Sequence, residues 1–263
     1  MKIRLFFTIS HQTVYLSLCD FIVKVEEFKI IQPNALLKPY VKHYWLLKTF
    51  GQQAIARTLP TGMMNLIFHR GSRLLSVRDK EYHPRAFLSG HEKMFADLEY
   101  SGQVDMISVV FYATGARAFF NIPMDRLNDL KVSANDIEDK ELAELENSLI
   151  NTENDQLCIL LIERFLLKRL TRLAEYNQKR IEAAISLINS GKTDVSSLAD
   201  AACLSSKHFN RIFSEYIGTN PKEFIRTIRF QRALYASVPS TNKPYRSGIR
   251  MWLLRPVTSY KRI

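Results

Sequence analysis

Cysteine, glycine and long apolar runs are all scarce in this chain of 263 residues, and each shortage excludes a class of protein. The three cysteines, Cys19, Cys158 and Cys203, lie far apart and form no Cys-x-x-Cys pair. This argues against a zinc ribbon or a disulfide framework and fits a reducing cytoplasm. No run of about 18 apolar residues occurs, so no membrane span is expected. No phosphate-cradling glycine loop and no Gly-x-Ser-x-Gly motif is present, so we expect no enzyme activity, no catalytic residues and no cofactor.

Acidic residues are also unevenly distributed along the chain. Residues 1–175 carry 22 basic and 21 acidic groups, residues 176–236 carry nine and five, and residues 237–263 carry six and none. The formal net charge of +11 is therefore concentrated towards the C-terminus. A local basic excess of this kind is typical of proteins that bind a polyanion such as nucleic acid.

The first 27 residues form an N-terminal extension of unclear role. Its basic start resembles a signal peptide, but His11, Gln12 and Asp20 interrupt the apolar region and no small-residue cleavage site follows. An extra strand or a misplaced start codon explains the segment better.

Residues 28–135 have the pattern of a β-rich domain. Short runs of β-branched and aromatic residues alternate with turn signals such as Pro60-Thr61-Gly62, which indicates a sandwich or barrel. The expected strands include Tyr40–Leu47, Met64–Phe68, Arg85–Leu88 and Met106–Phe111. Residues 136–175 then carry leucines at three- and four-residue steps, which predicts two amphipathic helices, Asp136–Leu149 and Asp155–Ala174. The leucine faces fit either an internal core or the same face of a second subunit, so a homodimer is a further expectation.

Residues 176–236 predict a helix-turn-helix unit. A helix around Ile181–Ile188 is stopped by Gly191, a short small-residue helix follows Asp194, and Ser205 and Gly218 delimit Ser206–Ile217. One face of that last helix is apolar and has to pack inward. The expected core residues of the unit are Leu198, Ala199, Leu204, Phe209, Ile212, Phe213 and Phe224.

The opposite face of Ser206–Ile217 carries the expected DNA contacts. Arginine pairs bidentately with guanine and asparagine with adenine, which makes Arg211 and Asn210 candidate base readers in the major groove. Periodicity alone leaves open that this face is only a solvated surface. The next helix opens at Asn220-Pro221-Lys222-Glu223, a capping box, and carries Arg226, Arg229 and Arg232 at three-residue steps. Such a stripe suits phosphate contacts.

The string LADAACLSSKHFNRIFSEYIGTNPKEFIRTIRFQRA resembles the AraC/XylS family of transcription regulators over roughly 55 residues. The resemblance implies base contacts by Lys207, Asn210 and Arg211. We expect Ser206, His208, Arg226 and Arg229 to contact the DNA backbone. The segments PNALLKPYVKHYW, LPTGMMNLIF and FYATGARAFFNIPMDRLND resemble, more loosely, the cupin-like sensor domain of some of these regulators. The implied fold is α+β, with a β-rich cupin-like sensor followed by an all-α homeodomain-like domain.

Members of this family carry a second helix-turn-helix, which residues 237–263 do not resemble. This tail is irregular and basic, with Pro244 and Pro256 in its later part. Met251 and Trp252 fix the codons ATG TGG, which one base later encode Cys-Gly. The following codons then permit Tyr-Tyr-Asp-Gln-Ser, which resembles the start of the family's second recognition helix. We hypothesise that a frameshift replaced that unit.

Together these patterns predict a cytoplasmic, effector-responsive transcription regulator that binds double-stranded DNA, and RNA polymerase if it is an activator. The alternative is a truncated sensor remnant that binds a small molecule or a partner but no operator. His69, His83 and His91 with Glu92 and Glu99 show neither a His-x-His pair nor a matching Glu spacing, so no metal site is expected.

Overall fold

Two antiparallel sheets followed by helices make up the part of the chain that the computed structural model describes, namely residues 14–16, 23–49, 54–100, 102–170 and 175–237. The larger sheet has seven strands in the order β1-β2-β3-β9-β5-β7-β10, and the smaller one has the order β4-β8-β6. Their bounds are β1 Val14–Leu16, β2 Val23–Ile31, β3 Val41–Thr49, β4 Ala54–Thr58, β5 Asn65–His69, β6 Leu75–Ser76, β7 Ala86–Ser89, β8 Ala96–Tyr100, β9 Val104–Phe111 and β10 Lys131–Ser133.

The helices follow the sheets in the chain and complete an α+β architecture, as the sequence predicts. They are α1 Lys140–Ile150, α2 Asp155–Arg169, α3 Glu175–Asn189, α4 Val195–Ala201, α5 Ser206–Ile217 and α6 Pro221–Ser237. Two short 3₁₀ turns, Ala116–Ala118 and Met124–Leu127, lie between β9 and β10. No helix in these described ranges has the length and apolarity needed to cross a membrane.

The seven-stranded sheet buries both of its faces, each against a different neighbour. Because successive side chains of a strand alternate in direction, Leu46, Leu66 and Val109 share one face, which we call the outer face. This face belongs to one core with residues of α1 and α2, including Leu142 and Ile162. The opposite, inner face packs Trp45, Leu47, Ile67 and Met106 together with Leu98 and Tyr100 of the small sheet.

The inward face of α2 differs from the one that the leucine spacing predicts. In α1 the expected Leu142, Leu145 and Leu149 are buried. In α2 the buried residues are Cys158, Ile159, Ile162, Phe165 and Leu166, whereas Leu157 and Leu160 are 47% and 61% exposed. The leucines run around most of α2, so their spacing does not single out one face, and the contact with the sheet selects it.

An ion-pair network fixes the start of α2 to the large sheet. Arg70, just after β5, donates hydrogen bonds to Asp105 (2.8 Å) and Asp155 (2.7 Å), and also to the Thr152 carbonyl. The Asp155 carboxylate accepts a further bond from Lys48 of β3 at 3.0 Å. Only 4% of the Arg70 side chain is exposed, so this charge depends on its partners inside the protein.

Candidate nucleic-acid interface

Helices α4 and α5 are joined by a short turn, and local sequence signals delimit both of them. The Asp194 carboxylate accepts from the Ser197 backbone N–H at 2.8 Å at the start of α4. Ser205 accepts from the His208 N–H at 3.4 Å at the start of α5, and Gly218 ends α5 in the left-handed conformation with φ 90°. Hydrogen bonds to the Asp194 carboxylate, first of all from the Ser197 backbone, lower its pKa, which keeps the cap charged.

The turn between these helices contains a residue in an unusual backbone conformation. Cys203 is exposed and has a φ of 54°. Its backbone enters the left-handed region because the chain has to change direction within the four residues, 202–205, that separate α4 from α5. The following Leu204 is partly buried and packs against the helical core.

The back of α5 is held by an apolar core built from α3, α4, α5 and α6. Phe209, Phe213 and Ile217 are fully buried, and Phe213 contacts Phe224 of α6 with ring centroids 5.6 Å apart. The other predicted core residues, Leu198, Ala199 and Ile212, lie in the same cluster. This packing fixes the rotation of α5 about its axis and so determines which side chains face outward.

The front of α5 presents polar side chains to the surface. The sequence-predicted base readers, Lys207, Asn210 and Arg211, are all exposed. The Asn210 amide donates to the Ser206 carbonyl at 2.7 Å, and Arg211 lies 3.0 Å from the His208 ring nitrogen. Arg211 also lies 3.9 Å from the Glu215 carboxylate. These contacts are local and exposed, so they can be exchanged for contacts with a ligand at small cost.

The arginines of α6 do not form one stripe. Arg226 and Arg229 are exposed, and Arg226 pairs with Glu223 at 2.7 Å. Arg232 turns towards the end of α3, where it donates to the carbonyls of Ile188 (2.8 Å) and Asn189 (2.6 Å). Arg232 thus pairs with carbonyls that the end of α3 would otherwise leave without a hydrogen bond. The prediction that Arg232 belongs to a phosphate-binding stripe is therefore wrong.

The β-rich region contacts α5 and α6, an arrangement that the sequence does not predict. The Gln231 amide of α6 donates to the Pro60 carbonyl, and the His91 ring lies 5.7 Å from the Phe224 ring. Gly62 has a φ of +76°, and a Cβ there would lie 3.3 Å from the Ile228 side chain. We call these residues of the β-rich region, Pro60, Gly62 and His91, the α6 contact. It leaves the polar face of α5 exposed.

The three histidines considered as metal ligands lie at two separate places. His69 and His83 come together, with ring centroids 6.2 Å apart, but His91 lies against α6 instead. Within the part of the chain that the structure describes, no three His, Cys, Asp or Glu side chains are grouped as a metal would require.

The tail at 238–263, with its frameshift hypothesis, lies outside the described residues, as does most of the N-terminal extension.

Comparisons with known proteins give one family match and a few structural likenesses. A family model described as "Domain of unknown function (DUF6597)" matches residues 29–133, from within β2 to the end of β10. No curated protein sequence matches the chain.

Among solved structures, the chain is similar to the AraC-like transcriptional activator CuxR. The TM-score is 0.30 and the identity 11%, over 85% of this chain and 91% of that one. It is also similar to ToxT from Vibrio cholerae O395, with a TM-score of 0.25 and 13% identity over 76% of this chain and 97% of that one.

Proposed function

We propose that this protein is a sequence-specific DNA-binding regulator of transcription in which α4 and α5 form a helix-turn-helix. Helix α5 enters the major groove, and Lys207, Asn210 and Arg211 read base edges. The family resemblance of the α4–α6 sequence agrees with this proposal, which rests on the geometry of α5.

The division of α5 into two faces is the observation that carries the proposal. Its back is locked by Phe209, Phe213 and Ile217, whereas Arg211 and Asn210 lie on the exposed front. A helix that reads DNA needs this combination, because the base-reading side chains must be held at a fixed angle yet remain free to leave the protein surface. Exposed Arg226 and Arg229 on α6 add positive charge for phosphate contacts.

The remaining parts of the proposal follow from the division of the chain. Residues of the β-rich region, which we take as a cupin-like sensor, respond to a small-molecule effector and act on α6 through the α6 contact. A homodimer stays a prediction, for which Leu157 and Leu160 of α2 are exposed. We place the protein in the cytoplasm with the genome, and RNA polymerase is its further partner if it activates.

Selection from a pool of random duplexes tests the proposal and requires no known operator sequence. The full chain is incubated with a randomised library at about 0.15 M salt, and bound DNA is recovered and sequenced over several rounds. We expect one short motif to be enriched, with specific complexes that survive this salt concentration. Uniform binding that disappears at this salt would instead identify the truncated sensor remnant, which binds a small molecule or a partner and contacts DNA only through phosphates.

Substitutions on α5 and α6 are expected to change different properties of the complex. Arg211→Ala or Asn210→Ala should relax preference at single base positions by about 5- to 150-fold, because each bidentate pair is worth about 1–3 kcal/mol. Arg229→Ala should weaken binding to all sequences alike and reduce the salt slope by about 1. Fluorescence anisotropy on the selected motif and its single-base variants measures both effects.

The control removes a cation that lies outside helices α4–α6. Lys140 is exposed at the start of α1, and Lys140→Ala should leave both motif preference and salt slope unchanged. If Arg211→Ala kept full sequence preference, our placement of α5 in the groove would be wrong. A circular dichroism spectrum equal to that of the parent shows that each variant is folded.

A further inference from the structure

The inner face of the seven-stranded sheet carries aromatic and polar side chains at its centre. The strand register places Trp45 of β3 beside Ser108 of β9, Ser108 beside Ile67 of β5, and Ile67 beside Phe87 of β7. His69 lies two residues beyond Ile67 on the same face and stacks on Phe87, with ring centroids 5.8 Å apart.

Several hydrogen-bonding groups of this region are buried without a partner among the described residues. Ser108 is 0% exposed, His69 1% and His83 5%, so solvent does not reach these side chains. The unpartnered atoms are Trp45 Nε1, Asn65 Oδ1, both ring nitrogens of His69, His83 Nε2, Tyr100 Oη and Ser108 Oγ. Buried polar groups normally have partners, and a cluster without them requires an explanation.

One charged group of the large sheet borders this face: Lys131 of β10 lies beside Ser89 and pairs with Glu92 at 3.5 Å. Lys48, Arg70 and Asp105 pair with one another or with Asp155 beside α2. By the strand register, the inner-face positions of β3, β5, β7 and β9 carry no Asp, Glu, Lys or Arg. Burial lowers the pKa of His69 to about 3 and that of His83 to about 4, with smaller contributions from neighbouring cations, so both rings are neutral at pH 7.

We propose that the inner face, at Trp45, Asn65, His69 and Ser108, binds a small uncharged molecule that carries both hydrogen-bond donors and acceptors. The Trp45 indole can only donate, the Asn65 oxygen can only accept, and the hydroxyl and imidazole groups can do either. An ionised ligand is disfavoured because these four positions offer no counter-charge, and Lys131 at the edge of the face is already paired with Glu92. Flat walls at Trp45 and Phe87 suit a sugar ring or a heterocycle.

This site deepens the proposed function, on which its role as the effector site rests. Asn65 and Ser89 are paired across β5 and β7 at one end of the inner face. Gly62 precedes Asn65 by three residues and His91 follows Ser89 by two, and both belong to the α6 contact. A ligand at the inner face therefore touches the strands that lead directly into the residues packed on α6.

Matched pairs of neutral and charged compounds test the site. The chain has two tryptophans, Trp45 and Trp252, so the Trp252→Phe variant makes fluorescence report on Trp45 alone. The probes are glucose with glucuronate, nicotinamide with nicotinate, and uracil with orotate, each at about 10 mM. We expect at least one neutral member to change Trp45 emission and raise Tm by about 3 °C, and its charged counterpart to do neither.

A serine-to-alanine pair provides the control. Ser108→Ala removes one hydrogen-bonding group of the site and should weaken binding of the neutral probe about 10-fold. Ser148→Ala makes the same change on exposed α1, where the hydroxyl donates to the Glu144 carbonyl, and should leave binding unchanged.

Three results would overturn the inner-face site: no neutral probe binds, the charged counterparts bind equally well, or the two serine variants behave alike. The DNA selection is run on the same protein without any compound. A failure to enrich a DNA motif is therefore recorded separately from a failure to bind the probes. Ligand binding without motif enrichment would retain the site and reject the regulator.

Discussion

Acidification from pH 6.5 towards pH 4 is expected to unfold this protein, because four histidines are buried in their neutral form. His43, His69, His83 and His91 are each 5% exposed or less. Burial is the largest cause that lowers their pKa values, to about 3 for His69 and about 4 for the other three. Nearby cations lower the pKa of His43 and His69 further.

The free energy of unfolding changes with pH because the folded and unfolded chains bind different numbers of protons. In the unfolded chain a histidine takes up its proton near pH 6.5, whereas the folded chain takes it up only near pH 3–4. The unfolded state therefore binds more protons throughout this window, and the free energy of unfolding falls as the pH falls. Each group contributes a slope of about 1.4 kcal/mol per pH unit, so four give about 5 kcal/mol per unit. A domain with a stability of about 5–15 kcal/mol should unfold near pH 5.

Urea unfolding followed by far-UV circular dichroism between pH 7.5 and pH 5 checks this expectation. The pH dependence of the free energy of unfolding gives the number of protons taken up, which should approach about four. His69→Gln should remove about one proton from this number. Uptake of fewer than about two protons by the parent chain, or an unchanged number in His69→Gln, would contradict the burial of neutral imidazoles.

The elements that sequence reasoning predicted best are those whose limits are set locally. Helix α5 runs from Ser206 to Ile217, as expected, because the Ser205 cap and Gly218 act on their own neighbours. Helix α1 begins at Lys140 rather than Asp136, because the Asp139 carboxylate caps it, at 3.0 Å from the Leu142 N–H. The Asp136 carboxylate instead accepts from the Ser133 backbone N–H at 2.6 Å.

Sequence reasoning failed where a contact joins distant parts of the chain. The exposed positions of Lys207 and Arg211 follow from helical periodicity, so the candidate reading face could be predicted. The role of Arg232 could not, because its acceptors lie more than 40 residues away on α3. Likewise, the inner face depends on the pairing of β3 with β9 and of β9 with β5, which no local signal specifies.

Arg70→Met is expected to destabilise the folded chain by about 3 kcal/mol and to lower Tm by about 10 °C. The change removes a buried guanidinium and leaves the carboxylates of Asp105 and Asp155, 18% and 14% exposed, with fewer partners. Burial by itself would raise the pKa of Asp155, but hydrogen bonds from Lys48 and Arg70 outweigh it and hold the pKa below its usual value. The ionised carboxylate is therefore part of what stabilises the native state at neutral pH.

The Asp155 contribution also has a defined pH window. A carboxylate whose pKa is lower in the folded chain stabilises it above the unfolded pKa of about 3.9, and this stabilisation is lost as the pH falls through the folded value. It therefore lies below the window in which the histidines act. At pH 7 the effect of Arg70→Met reports the ion-pair network and not histidine protonation, which makes the two predictions independent.

An ion pair between an arginine and an aspartate at the surface provides the matched control. Arg57 and Asp97 form a two-bond pair at 2.7 Å between β4 and β8, with side chains 34% and 27% exposed. Arg57→Met makes the same chemical change in a screened environment and should cost less than about 1 kcal/mol. Differential scanning calorimetry of both variants at pH 7 compares them directly. If one buried cation attaches α2 to the sheet, Arg70→Met should lower the free energy of unfolding several-fold more than Arg57→Met does. Equal decreases in the two variants would mean that the burial of Arg70 does not set the strength of its ion-pair network.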